Sequence, residues 1–275
     1  MVDYVQLMIL GAVAGFTIFL GLPLVAFHNL SARKKGFLNA IAIGILFFLL
    51  IEVLSEAGES VKEAVKEFAE GEIAAQEPTI LAISLVGGLA LGLLSLTLYE
   101  RKYVVQKPAE SIGQMPSIAV KVNAYKLALM IAIGIGVHNF SEGLAIGQEY
   151  AAGAIGLAML LVIGFGLHNT TEGFGIAAPL VGHRPKLGFV ALAGFIGGAP
   201  TFAGTLVGSL WTSTLASVLF LSVAGGALIY VIMSMYNSGR RQTTNDILML
   251  GIFLGFVVGY LTELVLEMGE HGFLS

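Results

Sequence analysis

Apolar residues fall in eight long blocks along the chain, at 4–27, 36–57, 79–99, 125–149, 154–179, 187–210, 214–236 and 246–268, divided by short polar connectors. Each block is about 20 residues or more, enough at ~1.5 Å per residue to cross roughly 30 Å of hydrocarbon as a helix. A membrane barrel would instead show alternating strands of ~10 residues, and no such alternation is present. The pattern therefore predicts an all-α integral membrane protein: one polytopic domain over 1–275 with eight transmembrane helices. The first block is too long for a signal-peptide core, has no basic region before it and no small-residue cleavage pattern after it, so it is expected to remain as a helix.

Composition sharpens this picture. Hydrophobic residues make up 56% of the 275 positions and charged ones only 12%, which excludes an ordinary soluble domain. The 36 glycines include rows spaced by four, as at Gly251, Gly255 and Gly259, which allow helices to pack closely. Glycine-lined faces on spans 6 and 8 permit such contacts within the chain or in a homodimer. There are no cysteines, so disulfides and thiolate metal ligands are excluded. The net charge of −4 and the lack of a long basic block argue against nucleic-acid binding.

The basic residues orient the helices. Arg33, Lys34 and Lys35 follow span 1; Arg101, Lys102, Lys107, Lys121 and Lys126 lie between or flank spans 3 and 4; Arg184 and Lys186 follow span 5; Arg240 and Arg241 follow span 7. Every second connector is basic, which places these connectors, the longest at about 100–124, in the cytoplasm and both termini outside. Lys62 and Lys66 are the exceptions. They lie in the net-acidic stretch "ESVKEAVKEFAEGEIAAQEP", whose Val61, Val65 and Phe68 predict a surface helix on the outer side.

Ionisable residues inside the spans are few, and such groups face a bundle interior or an aqueous cavity. Those singled out are Glu52 and Glu56, His138 and Glu142, His168 and Glu172, and Glu263 and Glu267. The central four belong to a repeat, "HNFSEG" from His138 and "HNTTEG" from His168. In a helix, His138 and Glu142 share a face, with Asn139 on the neighbouring stripe; His168, Asn169 and Glu172 repeat the arrangement. A turn near residue 155, where Gly153 and Gly156 sit, would make spans 4 and 5 antiparallel and level the two motifs near the membrane midplane, roughly 20 Å from the outer connector. Two imidazoles and two carboxylates converging there suit a divalent cation such as Zn²⁺. The ion would also relieve the repulsion of two buried carboxylates.

At these residues the chain resembles the ZIP (Zrt/Irt-like) family of divalent metal transporters, in its prokaryotic branch, whose fourth and fifth helices carry HN-x-P-E-G. The similarity extends to eight spans, both termini outside, the long connector between spans 3 and 4, and "GIAAPL" with Pro179 after the second motif. The resemblance implies an inverted-repeat bundle in which spans 1–3 and 6–8 surround spans 4 and 5, with an elevator-like movement. It also implies that His138, Glu142, His168 and Glu172 hold the primary metal and that Asn139 and Asn169 contribute to an adjacent one. The chain departs from the family pattern at several points. Ser141 and Thr171 replace the motif proline, so any bend must come from hydroxyls bonding back to the preceding turn. Ala199 stands before Pro200 where relatives with two metals carry glutamate, and "IAIGILFFLLIEVL" in span 2 offers no methionine. One well-formed site is therefore expected, with a second weak or missing. The connector 100–124 has no histidine, which argues against metal sensing by that loop.

The expected function is a carrier, not an enzyme, bringing a divalent metal (Zn²⁺, or Fe²⁺, Mn²⁺ or Cd²⁺) across the cell membrane into the cytoplasm. The metal is its substrate and no cofactor is expected. Protonation of Glu142 or Glu172 would assist release. Two other classes use similar residues: an intramembrane metal-dependent hydrolase, disfavoured by the absence of HExxH, and a passive divalent-cation channel. Elsewhere, Glu52 with Glu56 and Glu263 with Glu267 are read as an electronegative outer mouth or as solvated interfacial residues. Trp211 and Tyr230 are read as interfacial anchors. His28, His183 and His271 are read as solvated, and Asn29 beside His28 makes no motif because no glutamate follows at the required spacing.

Overall fold

The computed structural model describes residues 2–26, 30–101, 124–210 and 213–270, with the backbone alone at 99, 238 and 265–270. His28, Asn29, Trp211, His271, the side chain of Glu267 and most of the 100–124 connector lie outside the described residues. Among those described, every regular element is helical, and eight helical stretches are long and apolar enough to cross a membrane. The first combines α1 (Tyr4–Phe16), α2 (Ile18–Gly21) and a 3-10 turn to Ala26. Then come α3 (Ala32–Glu70), α4 (Gln76–Tyr99), α5 (Ala124–Ala151), α6 (Ile155–Ala177), α7 (Leu187–Gly208), α8 (Thr214–Gly239) and α9 (Asn245–Glu270).

Local signals account for the ends. Asp3 caps α1 by accepting from the amides of Val5 and Gln6, and Ser31 caps α3 through Lys34. Gly71 ends α3 in the left-handed conformation at φ 82, and Gly153 turns the chain between α5 and α6 at φ 85. Gly156, grouped with that turn in the sequence, lies inside α6.

The acidic stretch after span 2 is the first correction. As far as Glu70 it is not a separate surface helix but the continuation of α3, which runs for 39 residues, about 58 Å. Charge ends the hydropathy of a segment without ending its helicity, and no residue here breaks a helix before Gly71. Exposed pairs support the extension, Lys62 with Glu59 at 2.9 Å and Lys66 with Glu70 at 3.9 Å. Ala64 is the buried residue of this stretch, against Leu81 and Val218 with Val61 partly covered, while Val65 and Phe68 are exposed.

The helices pack in two groups. In one, α1, α2, α5, α6 and α7 contact each other; in the other, α3 packs on α4, α8 and α9, and α4 on α8. The groups meet where α5 packs on α8, α6 on α9 and α3 on α6. Glycines permit backbone-close approach in both. A Cβ at Gly143 would fall on the Thr201 carbonyl oxygen, and one at Gly204 on that of Phe140, so α5 and α7 nearly touch. The Gly251, Gly255 and Gly259 row lies against Ala40, Ile41 and Phe48 of α3. These glycine faces of spans 6 and 8 are thus used within the chain.

Tyr230 is the second correction. It is only 7% exposed, in the main apolar cluster with Leu221, Leu228 and Val231, and so is not an interfacial anchor. Its place near the end of an apolar block suggested the interface; the inward face of α8 decides otherwise.

Candidate metal centre

The two motifs lie on antiparallel neighbours, α5 and α6, and the structure brings them level. The His138 and His168 rings are 6.0 Å apart between centroids. All six motif residues, His138, Asn139, Glu142, His168, Asn169 and Glu172, are buried. The helix repeat sets each His beside its own Glu: His138 Nε2 is 3.3 Å from Glu142 Oε1, and His168 Nε2 is 3.8 Å from Glu172 Oε1.

Ligand atoms of His138, Glu142 and His168 all lie within 4.8 Å of one another. Around a tetrahedral ion with bonds of ~2.1 Å, neighbouring ligand atoms are ~3.4 Å apart, so small side-chain adjustments would close this triad on a metal. The hydrogen bonding points the same way. His138 Nε2, Glu142 Oε1, His168 Nε2 and Glu172 Oε1 are buried with no hydrogen-bond partner. Buried polar atoms are rarely left so, and several metal-ligating atoms of this kind in one place make a donor set that suits a cation. These buried His and Glu side chains could bind a divalent metal.

The asparagines point their amides at the carboxylates of the opposite helix. Asn139 Nδ2 donates to Glu172 Oε2 at 2.9 Å, to Asn169 Oδ1 at 2.5 Å and to the Gly197 carbonyl at 3.1 Å. Asn169 Nδ2 donates to the Ala14 carbonyl at 3.0 Å and reaches Glu142 Oε2 at 3.5 Å. Ala14 is near the end of α1, and its carbonyl also accepts from Thr17 Oγ1 at 2.6 Å. Each glutamate thereby keeps one oxygen braced and one oriented without a partner. The donors face the carboxylates; only Asn139 Oδ1 of the pair's oxygens is left without a donor.

The residues in place of the motif prolines behave differently. Thr171 Oγ1 donates to the His168 carbonyl at 2.7 Å, whereas Ser141 Oγ is buried without a partner. Both helices continue through these positions. In α7, Pro200 lies within the helix and lacks the N–H that the Ile196 carbonyl would otherwise accept. That carbonyl faces α5, where a Cβ at Gly136 would collide with it. Ala199 supplies no ligand atom.

Apolar side chains lie on both sides of the centre. Ile135 and Ile176, one turn beyond His138 and Glu172, point with Ile18 toward Gly197. Ile146 and Val162 lie at the opposite end, packed with Ala14.

Two of the acidic residues read as an outer mouth or as solvated interfacial groups are half-buried beside the centre. Glu52 of α3 and Glu263 of α9 approach His168, with ligand atoms of all three within 4.8 Å of one another. Glu56 is exposed. The i, i+4 spacing marked Glu52 and Glu263 as notable, but only the packing of α3 and α9 on α6 reveals their common neighbour. His183 is exposed, as expected, with its ring against Tyr125 at 6.5 Å between centroids.

No model of a known protein family matches this chain, and comparison with curated proteins finds no match.

Proposed function

We propose that this chain is a carrier of divalent metal ions of the ZIP type, with Zn²⁺ the preferred candidate and Fe²⁺, Mn²⁺ or Cd²⁺ as alternatives. The observation that carries the reading is the set of unpartnered His and Glu atoms in the interior of a bundle built to cross a membrane. Such groups are costly in a low-dielectric interior unless a cation, a proton or water satisfies them.

In this reading the protein lies in the cell membrane with both termini outside, and the ion passes to the cytoplasm. His138, Glu142 and His168 replace part of its hydration shell, and Glu172 lies next to them as a fourth ligand. The asparagines hold the carboxylates in place. A carrier must expose its site to each side in turn, and the two helix groups are the bodies whose relative movement would do so. The Ile135, Ile176 and Ile18 layer would have to part before the ion reached the cytoplasm.

The test is Zn²⁺ uptake into proteoliposomes containing a trapped zinc-sensitive dye, at matched protein density. Wild type is expected to show saturable uptake, lost in His138→Ala/His168→Ala. Flux rising linearly without saturation would indicate a channel. Stoichiometric binding without uptake would overturn transport of zinc and return weight to a metal-dependent hydrolase.

A further inference from the structure

The Glu52, His168 and Glu263 cluster is separate in composition from the first triad except for one residue. The first triad takes its ligands from α5 and α6, both in one helix group. The second takes one from α6 and two from α3 and α9, in the other group. Ligand oxygens of Glu52 and Glu263 lie within 4.8 Å of each other, a spacing at which two carboxylates repel and which a cation between them would relieve. Two further atoms point to a ligand: Glu52 Oε2 and His168 Nε2 are buried without hydrogen-bond partners, and His168 is only 4% exposed.

We propose that Glu52, His168 and Glu263 form a second divalent-cation site that shares His168 with the first. One imidazole and two carboxylates make a harder ligand set than two imidazoles and one carboxylate, so this site accepts Mn²⁺ more readily relative to Zn²⁺ than the first does. Because His168 is common, an ion can pass between the sites while keeping one ligand. An ion on the second site is also held across the seam between the helix groups, whereas an ion on the first is held within one of them. Sliding the groups past one another breaks the second site and leaves the first intact. The proposal rests on the carrier reading only in taking His168 as a metal ligand.

The experiment is a Zn²⁺ titration, in competition with a fluorescent chelator, of the full chain in lipid nanodiscs. His138→Ala/Glu142→Gln removes two ligands of the first triad and leaves the second untouched. This protein is expected still to bind zinc, and adding Glu52→Gln and Glu263→Gln is expected to weaken that binding at least ~10-fold, the scale of losing metal-site partners. X-ray absorption of the zinc-loaded His138→Ala/Glu142→Gln protein is expected to show one imidazole among oxygen ligands. A shell without imidazole would overturn the proposal even if the quadruple variant failed to fold. Loss of all zinc from His138→Ala/Glu142→Gln would overturn it while leaving the first site standing, and would indicate a shared proton between Glu52 and Glu263. Binding at wild-type affinity in both variants would overturn the second site and the first together.

Discussion

The copies of the motif on α5 and α6 carry the same His, Asn, Glu and Gly but use them unequally. On α5, His138 and Glu142 face each other at 3.3 Å and both belong to the first triad. On α6, His168 and Glu172 are 3.8 Å apart, and Glu172 is fully buried and braced by Asn139 at 2.9 Å. The inequality comes from the neighbours. Helix α5 packs against α7 and α8, while α6 meets α3 and α9, which supply Glu52 and Glu263. A repeat in sequence is therefore not a symmetric site: one copy is a local pair, and the other is a junction.

The largest expected effect breaks the comparison at its histidines. His168 belongs to both triads and His138 to one, so His168→Ala should weaken zinc binding more than His138→Ala does. Each loss should exceed the ~10–100-fold typical of an outer partner, because a ligand itself is removed. Competition titration of the two variants, at matched folded protein, measures the difference. Equal losses would mean that the copies are interchangeable and that the junction has no consequence for binding.

That asymmetry could not be read from the chain. Helical spacing put His138 beside Glu142 and His168 beside Glu172, and the glycine turn made the two helices antiparallel, so the central cluster was legible. Those relations depend on the 3.6-residue repeat and one short connector. The convergence of Glu52 and Glu263 depends instead on how two distant segments pack. The glycine row of α9 announced a close contact without naming α3 as its partner. Likewise, charges after Glu56 marked the end of the apolar run but not of the helix, and the position of Tyr230 in its block did not disclose which face of α8 it occupies. Asn139 and Asn169 were legible as neighbours of the ligands; that each amide reaches across to the other helix's carboxylate is a property of the paired helices.

A smaller effect separates the asparagines. Asn139 donates to Glu172 at 2.9 Å, to Asn169 and to Gly197, whereas Asn169 reaches Glu142 only at 3.5 Å. Asn139→Ala should cost about 10–100-fold in zinc affinity, the range for residues that orient metal ligands, and Asn169→Ala should lie near or below the lower end of it. A zinc titration of both variants decides this. The reverse order would mean that the Glu142 contact, though longer, governs the site.

The last contrast concerns stability and the glycine that ends each copy. A Cβ at Gly143 would meet the Thr201 carbonyl oxygen of α7, and one at Gly173 the Ile18 carbonyl oxygen of α2. Both obstacles are backbone, which cannot rotate away as a side chain can, so either Gly→Ala change must push two helices apart. Overpacking of this kind costs about 1–3 kcal/mol. The contrast is Gly58 of α3, which has nothing within 4 Å of its would-be Cβ. Gly58→Ala should be neutral or stabilising by up to ~1 kcal/mol through helix propensity alone. Thermal unfolding of the three variants in detergent should place Gly143→Ala and Gly173→Ala below wild type and Gly58→Ala at or above it. Because α5 loses its seat on α7 and α6 its seat on α2, matching losses would show that the copies are equivalent as packing elements. Their difference would then lie in chemistry alone.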